Sequence, residues 1–140
     1  MNKDDIKKFL PHREPMLLIE EAVIDADGTA HARYTVKEDE FFTRGHFPGN
    51  PIVPGVILCE MMGQSCCILV RDELAAGRTP LYSGIREARF RQPVRPGDTI
   101  EFRGRITDRR GLIFHCEAEG KVDGKVCVKG ILSFALIDNQ

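Results

Sequence analysis

The chain has 140 residues, of which 42% are hydrophobic and 29% are charged, and its formal net charge is −1 at pH 7. This length and composition are typical of an ordinary soluble protein with enough apolar residues to build one core. A net charge so close to zero argues against general nucleic-acid binding, which needs a basic face and usually a basic domain, so we expect no nucleic-acid partner. A local basic patch stays open. We predict a single domain over residues 1–140.

The beginning of the chain, MNKDDIKKFL, contains no apolar stretch of the kind that a secretory signal carries. The longest apolar run is interrupted by Glu60 and Gln64 and is too short to cross a bilayer. We therefore expect a cytoplasmic protein without a membrane span. The five cysteines lack Cys-x-x-Cys spacing, which favours buried, reduced thiols, and the four scattered histidines predict no metal site.

Hydrophobic patterns predict a helix between two groups of strands. Alternation predicts strands at 16–25 and 29–36, joined by a tight turn at Asp27-Gly28. A helix that is apolar on almost every side is predicted from Val56 to about Leu74. Four more strands are expected at about 81–93, 99–109, 112–122 and 125–137. The fold class is therefore α+β, with an antiparallel sheet of about six strands wrapped around one long central helix.

The most distinctive stretch is GHFPGNPIVPGVILCEMMGQ at 45–64. A proline-stiffened loop that carries His46 leads there into the helix that carries Glu60. Gln64 lies four residues after Glu60 on the same helix face, so its amide can orient the carboxyl group. We predict His46 and Glu60 as the catalytic pair.

A histidine and an isolated carboxyl group suit general acid–base chemistry near neutral pH. The N–H groups of Gly55 and Val56 lie at the start of the helix, where they lack intrahelical acceptors and can stabilise an oxyanion. Each side chain also has a structural interpretation. His46 can be a loop histidine bonded to a neighbouring carbonyl, and Glu60 can complement the positive end of the helix.

Three ordered segments resemble those of the FabZ-type (3R)-hydroxyacyl-[acyl-carrier-protein] dehydratases, which have the hot-dog fold. The segments are LPHREPMLLIEE at 10–21, GHFPGNPIVPGVILCEMMGQ at 45–64 and GIREARFRQPVRPGD at 84–98. The resemblance covers nearly the whole chain. It implies dehydration of a (3R)-3-hydroxyacyl-[acyl-carrier-protein] to the trans-2-enoyl product in type II fatty acid biosynthesis.

The same resemblance implies roles for individual residues. It makes His46 the catalytic histidine, Glu60 the catalytic acid and the Gly55 N–H the oxyanion donor. Phe47, Val56 and Gln64 complete the predicted substrate-binding group. A short first helix is expected to end at about Leu10, and His12 lies in the turn after it. We expect a mainly structural role for His12, with a direct catalytic role as the minority alternative.

The resemblance also implies partners. The substrate is a 3-hydroxyacyl chain on the phosphopantetheine of an acyl carrier protein, and no cofactor is expected. The family forms homodimers and trimers of dimers, in which the histidine of one subunit meets the acid of the other. Because the carrier protein is acidic, a basic surface is expected to dock it, unless these charges are only solvated. The candidates are Arg86, Arg89, Arg91 and Arg95 in one strand and turn, with Arg109 and Arg110 in another turn.

Three alternatives to a simple dehydratase stay open. A bifunctional enzyme would also isomerise the 2-enoyl product, although FabA-type enzymes have Asp where this chain has Glu60. A hot-dog thioesterase would hydrolyse the acyl thioester. A non-catalytic acyl-binding subunit would do neither. Leu81-Tyr82 departs from the family pattern near the acyl tunnel, so chain-length preference is not predicted.

Overall fold

The computed structural model describes residues 1–139, and Gln140, the last residue of the predicted domain, lies outside the described residues. A 3-10 turn, Ile68–Val70, separates the second helix from the third. The helices are α1 (Lys3–Ile6), α2 (Gly55–Cys67) and α3 (Arg71–Ala75). The strands are β1 (Glu21–Ile24), β2 (Ala30–Thr35), β3 (Arg78–Phe90), β4 (Thr99–Arg110), β5 (Ile113–Val122) and β6 (Lys125–Asp138).

These strands form one six-stranded sheet in the order β1-β2-β4-β5-β6-β3, and all neighbouring pairs are antiparallel. The order leaves β1 at one edge and β3 at the other. The register of β3 against β6 shifts twice, between Tyr82 and Gly84 and between Arg86 and Arg89. Such irregularities are common at sheet edges and beside active sites.

Helix α2 packs against the inner face of the sheet and forms the centre of the core. Most of its residues are buried from Leu58 onward, whereas Val56 in its first turn is 75% exposed. The approach to β4 is close, because a Cβ atom on Gly104 would lie 2.6 Å from Cys66 Sγ. The predicted arrangement of one antiparallel sheet around one central helix, the hot-dog plan, is therefore confirmed.

The predicted elements differ from the structure mainly near the N-terminus. Strand β1 begins at Glu21 instead of residue 16, because the preceding segment bonds to α2: the Leu18 N–H donates to Gln64 Oε1 at 2.8 Å. The helix predicted from Val56 to about Leu74 is divided by the 3-10 turn. The four later strands lie close to their predicted positions.

All five cysteines are free and buried, as the sequence predicted. No helix within residues 1–139 has the length and apolar character needed to cross a bilayer.

Candidate active site

The loop that carries His46 is held mainly by its own backbone. The His46 N–H donates to the Thr43 carbonyl at 3.1 Å, and the Ile52 N–H donates to the His46 carbonyl at 2.7 Å. Phe47 and Asn50 exchange two backbone hydrogen bonds across a tight turn, at 3.1 and 2.9 Å. The conformation of the loop is therefore fixed largely by hydrogen bonds within it.

The side chain of His46 is fixed by one further bond within the loop. Its Nδ1 lies 2.9 Å from the Ile52 carbonyl oxygen. A carbonyl oxygen only accepts, so the proton of the neutral ring is on Nδ1 and the lone pair is on Nε2. The ring of Phe47 stacks on the imidazole with centroids 4.2 Å apart. His46 thus has a free lone pair on Nε2.

Glu60 lies on α2 and is held by side chains instead. Its Oε2 accepts a hydrogen bond from Gln64 Nε2 at 2.8 Å, which is the contact that their spacing predicted. The Glu60 side chain is 24% exposed, so it is only partly buried although the helix that carries it is mostly apolar. Solvent can therefore reach it in the single chain.

Gln64 connects Glu60 to the N-terminal segment. Its side chain is buried, its Oε1 accepts from the Leu18 N–H at 2.8 Å, and its Nε2 also donates to the Met16 carbonyl at 2.7 Å. Both amide N–H groups are therefore occupied. These contacts make Gln64 an orienting group for Glu60, and its predicted contact with substrate stays a prediction.

His12 lies closer to Glu60 than the sequence led us to expect. Its Nε2 lies 3.2 Å from Glu60 Oε2, although we expected a mainly structural role. Arg13 fixes the turn around it, since its guanidinium donates to the carbonyls of Lys7, Leu10 and His12 at 2.7 to 3.0 Å. The local sequence offers no signal that this turn packs against Glu60, because the contact is made only in the folded chain.

The start of α2 supplies free N–H groups. Among residues 1–139, the N–H groups of Gly55 and Val56 have no hydrogen-bond acceptor. The ring of Phe90 packs closely on Gly55, where a Cβ atom would lie 2.9 Å from Phe90 Cε1. A side chain at this position would therefore disturb the proposed oxyanion donors.

Tyr82 packs beside the turn of α2 that carries Glu60. Its hydroxyl donates to the Cys59 carbonyl, and its ring stacks on Phe134 with centroids 4.5 Å apart. Burial raises the pKa of Tyr82 far above its ordinary value, so the hydroxyl stays a neutral donor. A Cβ atom on Gly63 would lie 2.5 Å from Tyr82 Oη. Edge strand and helix are thus closely fitted next to the acid.

The predicted docking arginines share one property. Arg86, Arg89, Arg91 and Arg95 are exposed, and none forms an ion pair within the described part of the chain. Seven other arginines do pair with carboxylates: Arg33, Arg44, Arg78, Arg103, Arg105, Arg109 and Arg110. Within the described residues, Arg13 and Arg71 also lack an ion pair, so the end of β3 and the turn after it hold four of the six arginines without one.

Within one chain, no hydrogen bond or ion pair joins His46 to Glu60 among residues 1–139. The same residues contain no group of three or more His, Cys, Asp or Glu side chains placed to hold a metal ion. His46 and Glu60 are thus two separately held groups.

Comparison with known proteins identifies the family. A FabA-like domain model matches residues 10–130. The 3-hydroxyacyl-[acyl-carrier-protein] dehydratase FabZ of Clostridium perfringens is 38% identical over 139 residues, which cover 97% of this chain and 99% of that protein. The enzyme of the same name from Pseudothermotoga lettingae is 36% identical over 140 residues, covering 100% and 99% of the two chains.

A solved structure supports the fold. The dehydratase heterocomplex ApeI:P from Xenorhabdus doucetiae superposes with a TM-score of 0.76 at 22% identity, covering 95% of this chain and 91% of that one. The sequence match over nearly the full length and the shared fold agree, and the chain belongs to the FabA-like family, in which its relatives are the FabZ 3-hydroxyacyl-[acyl-carrier-protein] dehydratases.

Proposed function

We propose that this protein dehydrates (3R)-3-hydroxyacyl-[acyl-carrier-protein] to trans-2-enoyl-[acyl-carrier-protein] in fatty acid biosynthesis. The observation that carries the proposal is the pairing of a neutral imidazole with a free Nε2 and a carboxyl group oriented by a buried amide. The names of the relatives support the same reaction.

The proposed mechanism gives each end of the substrate its own group. Nε2 of His46 removes the C2 proton, and the Gly55 N–H stabilises the negative charge that develops on the thioester oxygen. Glu60 protonates the C3 hydroxyl, which leaves as water while the C2–C3 double bond forms. The proton taken by His46 balances the one that Glu60 gives up, so nothing is oxidised and no cofactor is needed.

The test follows two products together. The purified protein receives a (3R)-hydroxyacyl-carrier-protein, and mass spectrometry monitors the 2-enoyl thioester and free thiol. We expect enoyl product and no free thiol. Free thiol without enoyl product would identify a thioesterase, 3-enoyl product would identify an additional isomerase, and no product would indicate an acyl-binding subunit. A cytoplasmic location stays a prediction.

The unpaired arginines support docking of the acidic carrier protein. Attraction between opposite charges on two surfaces speeds their association, and salt weakens this attraction. The variant Arg89→Glu/Arg91→Glu should lower kcat/KM for carrier-protein substrates at low salt more than for the matching small thioesters. Arg33→Glu, on β2 near the opposite edge of the sheet, is the control and should have little effect. An equal loss with both substrate types would reject docking here.

We also propose that the working unit is a homodimer formed through the β3 edge. An edge strand has unpaired backbone N–H and C=O groups that a second copy can satisfy. Large apolar side chains on β3 and near the start of α2 are about half exposed or more, and the set is Phe47, Val56, Leu81, Ile85 and Phe90. In this dimer, His46 would act with Glu60 of the partner subunit.

A mixing experiment tests the shared site. His46→Ala and Glu60→Ala are each expected to retain only a small residual activity alone, but heterodimers of the two contain one intact site. Activity recovered after co-expression would support the shared site, and no recovery in a sample shown to contain heterodimers would contradict it. Analytical ultracentrifugation would distinguish a dimer from a trimer of dimers.

A further inference from the structure

The two oxygens of Glu60 have different surroundings. Oε2 faces two nitrogen atoms, Gln64 Nε2 at 2.8 Å and His12 Nε2 at 3.2 Å. The amide nitrogen of Gln64 only donates. Among residues 1–139, Oε1 has no hydrogen-bond partner. Oε2 is therefore the oxygen that the protein holds, and Oε1 is left for the substrate.

The surroundings of His12 decide which of its nitrogens carries the proton. Its Nδ1 is buried and has no hydrogen-bond partner within the described residues. An N–H buried there without an acceptor would cost about 1–3 kcal/mol. The neutral ring therefore carries its proton on Nε2, which then donates to Glu60 Oε2. Both nitrogens around Oε2 are thus donors.

A protonated carboxyl group that receives two hydrogen bonds on one oxygen carries its proton on the other. The oxygen that accepts must keep its lone pairs, and a carboxylic O–H oxygen is the poorer acceptor. The arrangement therefore localises the transferable proton of Glu60 on Oε1. It also fixes the rotation of the carboxyl group, because the two donors come from α2 and from the N-terminal turn.

We propose that His12 is a positioning residue for Glu60, which it holds through Oε2 so that the proton given to the substrate is on Oε1. The proposal rests on the function proposed above. His12 does not touch the substrate and acts only through the acid. If Gln64 were the only donor, the carboxyl group could still rotate around that one hydrogen bond. The second donor, His12, prevents this rotation.

The first experiment compares two amides at position 12. The Nε2 of a glutamine side chain reaches about as far as the histidine Nε2, whereas the amide of asparagine is shorter. His12→Gln should keep kcat within about 3-fold of the natural protein, and His12→Asn should lower kcat about 10-fold to 100-fold, with KM changed much less. His31→Asn is the matched control. The Nε2 of His31 lies 2.7 Å from Asp25 Oδ2, which is a similar contact, and this pair is not part of the site. His31→Asn should leave kcat unchanged.

The second experiment asks whether His12 acts through Glu60. In a Glu60→Ala background, His12→Asn should change the residual rate by less than about 2-fold, since the group that it positions is gone. If the losses of kcat from His12→Asn and Glu60→Ala multiply in the double variant, the inference is overturned. Equal kcat values for His12→Gln and His12→Asn would overturn it too. Thermal unfolding of each variant controls for folding.

The two proposals fail differently. If Glu60→Ala retains the natural rate, the acid assignment itself is wrong. If Glu60→Ala is inactive while His12→Asn turns over normally, only the role of His12 is rejected.

Discussion

The base and the acid of the proposed site are held in opposite ways. His46 is fixed by backbone groups of its own loop, at Thr43 and Ile52. Glu60 is fixed by side chains, one of which, Gln64, is itself bonded to the distant backbone of Met16 and Leu18. The position of the base therefore depends on local structure, and the position of the acid depends on tertiary contacts between α2 and the N-terminal segment.

Of the changes that test this contrast, removal of the His46 side chain should have the largest effect. His46→Ala should lower kcat by about 10²–10⁴-fold, the usual contribution of a positioned acid or base. The fold should survive, because the side chain makes one hydrogen bond and is partly exposed. Steady-state kinetics and thermal unfolding measure both effects. A folded variant with near-normal turnover would remove His46 from the mechanism.

Removing the amide on the acid side should affect activity and stability together. Gln64→Leu leaves the Leu18 N–H without its acceptor in a buried site. An unsatisfied buried donor costs about 1–3 kcal/mol, and the loss of the bond to Glu60 should also lower kcat. Urea unfolding combined with kinetics would show both. A variant that loses only activity would mean that the N-terminal segment is held by other contacts.

Two glycines sharpen the distinction between local and distant support. At Gly63, beside the acid, an added Cβ meets Tyr82 Oη at 2.5 Å, so Gly63→Ala should cost about 1–3 kcal/mol from overpacking. At Gly49, in the loop of the base, the space is open but φ is +73°, so Gly49→Ala should cost about 1–2 kcal/mol from its backbone conformation.

A double-mutant cycle separates these two causes. Adding Tyr82→Ala should reduce the cost of Gly63→Ala, since the clashing ring is gone, but should not change the cost of Gly49→Ala. Chemical denaturation measures each free energy. Additive costs at Gly63 would show that the helix moves away from the edge strand instead.

The smallest expected effect is a loss of stability in alkali, and it should come from thiols that are buried in the core. Burial raises the pKa of Cys67, on α2, well above its ordinary value, and burial raises the pKa of Cys127 to about 11. Above pH 9 or so, the unfolded chain loses these protons while the folded chain keeps them. The resulting stability is complete below about pH 9 and is lost as the pH rises toward 11.

This pH response can be measured by urea unfolding at about pH 8 and about pH 10. Cys127→Ala should lose less stability between these values than the natural protein does. Equal losses would show that Cys127 does not contribute to the alkaline transition.

The same contrast explains what the sequence could predict. The alternating patterns of residues 99–137 located β4, β5 and β6, because each repeats one local period. The prolines and glycines around His46 predicted a rigid loop for the same reason. The position of His12 beside Glu60 was not predictable, since it depends on how an irregular segment packs on α2.

The shortened β1 has a related cause. Residues 16–19 are apolar enough to be a strand, but Met16 and Leu18 use their backbone groups to hold the Gln64 amide. A buried amide on a helix thus competed successfully with a sheet partner. Such competition between two sets of hydrogen bonds is not encoded in the local pattern.

The free edge of β3 has a consequence for how the protein behaves on dilution. If pairing along this strand completes each site, the number of working sites follows the law of mass action. Specific activity should then decline once the protein is diluted below the dissociation constant of the pair, and a saturating substrate that bridges both copies should oppose the decline. The fraction of complete sites would then depend on protein concentration as well as on the fold of each chain.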